Sequence, residues 1–417
     1  MMAWFDFSRS NFHRLAVASA AAAFSLGVQA QDTFSLTLTV NPDVSPQSSS
    51  VGFSTVQQLF DRLDAGGLQS LVNAYTEASP AALRFGYRGL DMFVTTAAGS
   101  STVTLNIPGI VDGKAFTGAN RDASFDLMVD FFETDGGEVL SAVNRKLAEV
   151  SPVDPIAGNP MSMQSMMVAS DFDSAFTAFA SNIKAAPVGQ QPDHSGLAAL
   201  SLRLGRFSQA GLESESATLP LSYTFRGLGG GRQLTFNLPI SVASVGEAKV
   251  YKLGMGLAYR HPMSERWALT PAINLGASGS EDLGSVAAMT SVSLTSQYTI
   301  PFNDFEISIG NMVGQYDTLK IETDNFSYDP GIRNTVFRNG IMVSRPVSLG
   351  GWPMSLELSF VNTQFTGSAL FNSWTNELGL TIGTRRGSDL PSYLRAGITL
   401  LDGERSRGVM FNVGYWF

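Results

Sequence analysis

The sequence predicts a transmembrane antiparallel β-barrel of about 12 strands preceded by a small α/β N-terminal domain. Three observations predict it. From about residue 197 to the end, apolar residues alternate at period two with small or polar ones. The charged residues of those stretches fall mostly on the parity opposite the apolar one. No apolar run after residue 30 is long enough for a transmembrane helix, so a chain that spans a membrane does so as a closed barrel.

Residues 1–30 read as a signal peptide. Arg9 and Arg14 form a positive n-region, Leu15 to Val28 is a short apolar run, and Val28-Gln29-Ala30 has the shape of a cleavage site. The chain has no cysteine, which excludes disulfides, thiolate metal sites and a lipid-anchored Cys. Its formal charge is −9 with no basic run, which argues against a nucleic-acid partner.

Residues 31–150 read as the separate α/β domain. Phe34, Leu36, Leu38 and Val40 alternate with Ser35, Thr37 and Thr39, as in a strand. Ser54 can cap a helix carrying Val56, Leu59, Phe60 and Leu63, with Gly66-Gly67 as its stop. A short second helix follows around Leu68–Tyr75. Strand-like stretches come at 83–95 and 102–107, then helices near 123–132 and 138–150. Asp122, Asp126, Asp130 and Glu133 line one helix face, either as a cation or basic-partner site or as a solvated face.

Residues 151–196 read as a linker followed by a lumen helix. Pro152, Pro155 and Pro160 with many Ser and Met suggest a linker over 151–170. Met161, Met163, Met166 and Met167 are either a soft binding surface or adaptable filler. Phe172, Phe176, Phe179 and Ile183 lie on one helical face, so a helix is expected over 170–186, capped by Ser170 or Asp171.

The barrel region is 197–417. Its strands are expected near 197–208, 217–226, 232–243, 248–260, 265–276, 285–300, 303–316, 335–345, 352–364, 374–385, 391–401 and 406–417. Every second connection reads as a tight turn, from 227–231 to 385–391. The others read as generally longer, which is the two-sided pattern of outer-membrane barrels. Parity makes Arg203, Lys252, Arg260, Glu306, Arg338, Glu357, Glu377 and Arg395 lumen charges, because a charge facing mid-bilayer lipid costs about 2–4 kcal/mol. They form either an ion pathway or a set of ion pairs. Trp267, Trp352 and Trp374 sit near strand starts, where interfacial aromatics belong. The last strand carries Val409, Phe411, Val413, Tyr415 and Phe417 on one face and ends there.

Twelve strands, the aromatic end at Tyr415 and Phe417 and the helix just upstream resemble the autotransporter-type C-terminal outer-membrane β-barrel, the translocator domain. The resemblance covers about 170–417. It implies a helix in the lumen, an upstream passenger outside, membrane targeting through the terminal strand, and the barrel-assembly machinery and outer-membrane lipids as partners. The N-terminal region has no repeat of the kind typical passengers show, so a periplasmic domain stays open as an alternative.

Chemistry-bearing motifs are sparse. The histidines are His13, His194 and His261, too few for a His-rich metal site. His194-Ser195 has no evident third partner and reads as a linker end. Gly254-x-Gly256 lies inside a strand and reads as small lumen residues. No cofactor, metal or catalytic residue is expected. The leading expectation is a non-enzymatic protein of the bacterial outer membrane that anchors or presents an interaction domain whose ligand the sequence does not name. The alternatives are a channel or transport protein with a periplasmic domain and, third, an outer-membrane hydrolase.

Overall fold

The structure is a computed structural model that describes residues 32–41, 43–134, 136–176, 196–226, 228, 231–323, 326–385 and 393–416. Residues 1–30, expected as a signal peptide, the tract 177–195 with His194-Ser195, and Phe417, expected to serve membrane targeting, lie outside the described residues.

Residues 32–150 form a two-layer α/β unit. Its strands are β1 (Phe34–Val40), β2 (Gln47–Phe53), β3 (Ala81–Tyr87), β4 (Leu90–Thr96), β5 (Val103–Ile107) and β6 (Val111–Phe116). They pair antiparallel in the order β2-β1-β3-β4-β5-β6. The helices are α1 (Val56–Phe60), α2 (Ala65–Leu71), α3 (Arg121–Thr134) and α4 (Gly137–Val150). The apolar parity of β1 meets Leu59, Leu63, Leu68, Phe125 and Leu147 in one core. The other parity, with Thr37 bonded to Ser50 and Thr39 to Ser48, faces outward.

Three local expectations are corrected here. The stretch 83–95 is a hairpin, β3 and β4, turned by Arg88 at φ 51° and Gly89 at φ 95°. That pair of left-handed residues suits a tight primed turn. Gly66-Gly67 lies inside α2 and stops nothing, and the N-cap of α1 is Thr55, not Ser54. Asp64 caps α2 by accepting the Gly67 N–H at 2.5 Å. A Cβ on Gly67 would sit 2.8 Å from the Arg62 carbonyl, so that glycine serves a close approach of two chain segments.

The barrel strands are β7 (Gly196–Gln209), β8 (Leu212–Phe225), β9 (Gln233–Val245), β10 (Ala248–Pro262), β11 (Trp267–Ser280), β12 (Ser285–Pro301) and β13 (Glu306–Thr318). A small hairpin, β14 (Ile321–Thr323) and β15 (Phe326–Tyr328), interrupts them. The barrel then continues with β16 (Arg333–Leu349), β17 (Trp352–Gly367), β18 (Trp374–Thr384), β19 (Tyr393–Gly403) and β20 (Ser406–Trp416). Each pairs antiparallel with its sequence neighbour, and β20 closes on β7 with Trp416 opposite Ala199 and Ser406 opposite Gln209. The result is a closed twelve-stranded barrel.

The outward face is apolar. Ile273 is 57% exposed, Val292 61% and Leu358 53%, and Phe337, Leu380, Leu400 and Phe411 lie open in the same way. The inward Arg395, by contrast, is 0% exposed. A belt of this kind around a closed barrel is a surface made for lipid, and the chain is an outer-membrane β-barrel. Trp267 and Trp352 are exposed at the end of the barrel where its first and last strands meet their termini, and Trp374 lies at the opposite end.

The expected sorting of connections by length is not found. Opposite the barrel's termini, Ala210-Gly211, Gly246-Glu247 and Glu404-Arg405 are two-residue turns, 281–284 is a four-residue turn, and 319–332 and 368–373 are longer. The reason is that the α/β unit sits directly on these turns. The Val56 N–H donates to the Asp282 carbonyl at 2.8 Å, the Arg145 Nε–H to the Pro330 carbonyl at 2.8 Å and the Phe371 N–H to the Ala148 carbonyl at 2.7 Å. Phe207, Val245, Val250 and Leu283 of the barrel belong to the same buried cluster as the core of the unit. Loops that already touch their partner need no length.

Candidate functional site: the plugged lumen

Between the α/β unit and the first barrel strand the chain runs down the lumen. Residues 151–162, expected as a linker, are buried almost throughout. Prolines keep the segment irregular, and its side chains satisfy its own backbone. Asp154 Oδ2 accepts the N–H groups of Ile156 and Ala157, each at 3.1 Å. The Asn159 amide donates to the Asp154 carbonyl at 2.6 Å, and its oxygen accepts the Met161 N–H at 3.0 Å. Asp154 also meets Arg88 at 3.4 Å with both side chains 0% exposed.

The lumen helix, α5 (Met163–Asp173), starts earlier than the spacing of aromatic residues suggested. Its cap is Ser162, and Ser170 and Asp171 lie within it. A further turn carries the chain to Phe176, and the rest of the expected helix, 177–186 with Phe179 and Ile183, lies outside the described residues. Met161, Met163 and Met167 are buried filler against the wall.

The helix is held to one side. It packs on β9 through β13, while β7, β8 and β17–β20 face it across a gap. Glycines on the inward parity make the seat. A Cβ on Gly276 would lie 2.6 Å from Met167 Sδ, and one on Gly340 would lie 2.6 Å from the Phe176 ring and 3.0 Å from that of Phe172. Gly310 is likewise covered by Phe176. Asp171, 2% exposed, fixes the rotation of the helix. It accepts from Tyr316 Oη at 2.5 Å, from the Asn274 side-chain amide and from Ser291 Oγ at 3.3 Å, on three adjacent strands.

The expected lumen charges all lie on barrel strands. Arg338 grips Glu377 with two nitrogens at 2.8 and 3.1 Å, donates to Thr363 Oγ1 at 2.6 Å, and lies 5.2 Å above the Phe172 ring. Arg395 pairs with Glu357, both fully buried, and donates to the Thr384 carbonyl at 3.1 Å. Arg203 meets Asp173 of α5 at 2.5 Å instead of a wall carboxylate. Lys252 donates to the Met161 carbonyl. Arg260 donates to Gln297 Oε1 at 2.6 Å and reaches the Ala175 carbonyl at 3.5 Å. Glu306 begins β13 at the rim, with Ser308 Oγ 3.5 Å away. Tyr415 points outward, 43% exposed, and Trp416 points inward into a small cluster with Leu197, Ala199 and Tyr393.

Asp173, Tyr316, the wall contacts of Asp171 and the glycine seat beyond Gly254 and Gly256 escaped the sequence reading. The available signal was positional: Gly254, Gly256, Gly276, Gly310 and Gly340 share the inward parity of nearby strands, which leaves a wall with room for something thick. On the acidic face of α3, the Asp122 carboxylate accepts the Ala65 N–H at 3.0 Å. Among the described residues no cluster of His, Asp or Glu is arranged to hold a metal ion.

The chain is similar to the β domain of the Bordetella autotransporter BrkA, at 17% identity over 54% of this chain and 99% of that one, with a TM-score of 0.43. It is similar to the translocator domain of the autotransporter NalP from Neisseria meningitidis, at 13% identity over 61% and 94%, TM-score 0.41. A similar likeness extends to an outer-membrane channel from Pseudomonas putida F1, at 14% identity over 56% and 96%, TM-score 0.38. No protein-family model and no curated protein sequence matches the chain.

Proposed function

We propose that this protein is a non-enzymatic, autotransporter-type outer-membrane anchor that carries its α/β domain on the cell surface and keeps it seated over the mouth of the barrel. The path of the chain carries this reading. The domain sits at the end of the barrel opposite the barrel's own termini, and residues 151–176 descend the lumen from that domain towards the end where β7 begins. An even-stranded barrel that keeps its termini in the periplasm puts the other end outside. The domain is then external and the lumen tract is the record of its passage. The barrel-assembly machinery would insert it through the strand that ends at Tyr415 and Phe417.

A second reading, a channel gated by its plug, draws on the gap left beside α5, which is lined by Ser, Thr, Asn and charged side chains. One experiment separates the two. The chain has no cysteine, so Thr104→Cys on the open face of the domain sheet is a unique reporter. A membrane-impermeant maleimide should label it in intact cells. Labelling that needs a permeabilised outer membrane would put the domain in the periplasm and favour the transport reading.

A further inference from the structure

The side of the lumen that α5 leaves free is a cavity of about 180 Å³. It reaches from Phe207 and Met410, near the domain, down to Ala199 and Trp416 at the end where the barrel begins and ends. Four inward residues cross its wall at one level. Arg203 is opposite Thr218, Thr218 opposite Ser241, and Ser241 opposite Lys252, on the adjacent strands β7 to β10. Thr218 Oγ1 donates to Ser241 Oγ at 2.9 Å, so two hydroxyls are linked in the middle of the row with a cation at each end.

The charges around this cavity do not balance. Arg203 is answered by Asp173 and Arg338 by Glu377, and all four line the cavity. Lys252, only 4% exposed, has the Met161 carbonyl and, among the described residues, no carboxylate. That leaves one more basic than acidic side chain along the cavity. A buried amino group beside a hydroxyl that can still donate, that of Ser241, is completed by an anion that accepts from both. A space of this volume admits a small ion with its waters and excludes a lipid with acyl chains.

We infer that the free side of the lumen is a binding site for a small oxyanion of the phosphate type, held between Lys252 and the Ser241 hydroxyl, which Thr218 orients by donating to it, with Arg203 at its flank. The site ties wall to plug, because Lys252 and Arg203 each also hold the lumen segment. It stands apart from the question of which side of the membrane the domain occupies.

The test is calorimetric titration of inorganic phosphate into the full-length mature protein in phosphate-free detergent, with ionic strength held constant by sodium chloride. One saturable site per chain is expected. Lys252→Met should weaken it about tenfold or more, and Ser241→Ala severalfold. Ser241→Ala removes one hydroxyl and should leave the barrel heat-modifiable on a gel, so a misfolded Lys252→Met protein would not stall the test. Absence of saturable heat in the wild type, or unchanged affinity in Ser241→Ala and in a folded Lys252→Met, overturns the proposal.

Discussion

At the scale of single residues, the buried charges are held by partners, and removing one partner is worse than removing both. Arg395 and Glu357 are fully buried together. Glu357→Gln leaves the guanidinium uncompensated and should cost about 3–5 kcal/mol of barrel stability. The double change Glu357→Leu with Arg395→Met should cost clearly less than the sum of the singles, measured as the shift in the temperature at which the folded gel band is lost. Additive effects would show that the two charges do not act as a pair. Asp171→Leu should cost about 2–4 kcal/mol, because it strands the Tyr316 hydroxyl and the Asn274 amide against an apolar side chain. Which positions face the lumen was legible from parity alone, since lipid tolerates no arginine at mid-depth. Who pairs with whom was not. Arg203 chose Asp173 of the plug, and that choice depends on where a helix sits inside the barrel, a fact no local pattern encodes.

At the scale of elements, the plug and its seat are matched in volume. The Phe172 and Phe176 rings occupy space that Gly340 and Gly310 leave empty. Gly340→Leu should therefore displace the helix without disturbing the outer face of β16. The expected readout is conductance in a planar bilayer: low for the wild type, raised for the variant, with the barrel still heat-modifiable. A variant as quiet as the wild type would show that the domain seals the mouth without help from the helix. The twelve strands were legible because each must alternate between lipid and lumen. The start of the helix was placed several residues late because the aromatic spacing begins only at Phe172, near the end of α5, while its first turns carry Met, Ser and Ala. The apparent linker was misread because Pro and Ser look like loop composition, whereas here Asp154 and Asn159 fold those residues into a buried, self-satisfied knot.

At the scale of the whole molecule, domain and barrel share one buried cluster. Val153 and Met161 from the plug and Leu283 and Val245 from the barrel complete the core that Leu147, Val143 and Leu83 begin. Residues 32–150 produced alone should therefore melt at a lower temperature than the same domain in the intact protein. Circular dichroism of the fragment against the detergent-solubilised full chain measures this, and equal melting points would show the domain to be self-sufficient. The division into domain and barrel was visible in the change of period near residue 197. That the two are welded was not, because the residues on both sides of the weld read locally as ordinary core positions and ordinary turns.

The descent of the chain through the lumen also has a mechanical meaning. A pull on the domain away from the membrane does not peel it off a flexible stalk. It draws α5 lengthwise along β9 to β13, so the Asp171 bonds, the Arg203–Asp173 pair and the aromatic-on-glycine contacts are loaded together in shear. Shear engages all of them at once, whereas peeling would break them one by one. Whatever the domain grips, the tension ends on the barrel wall.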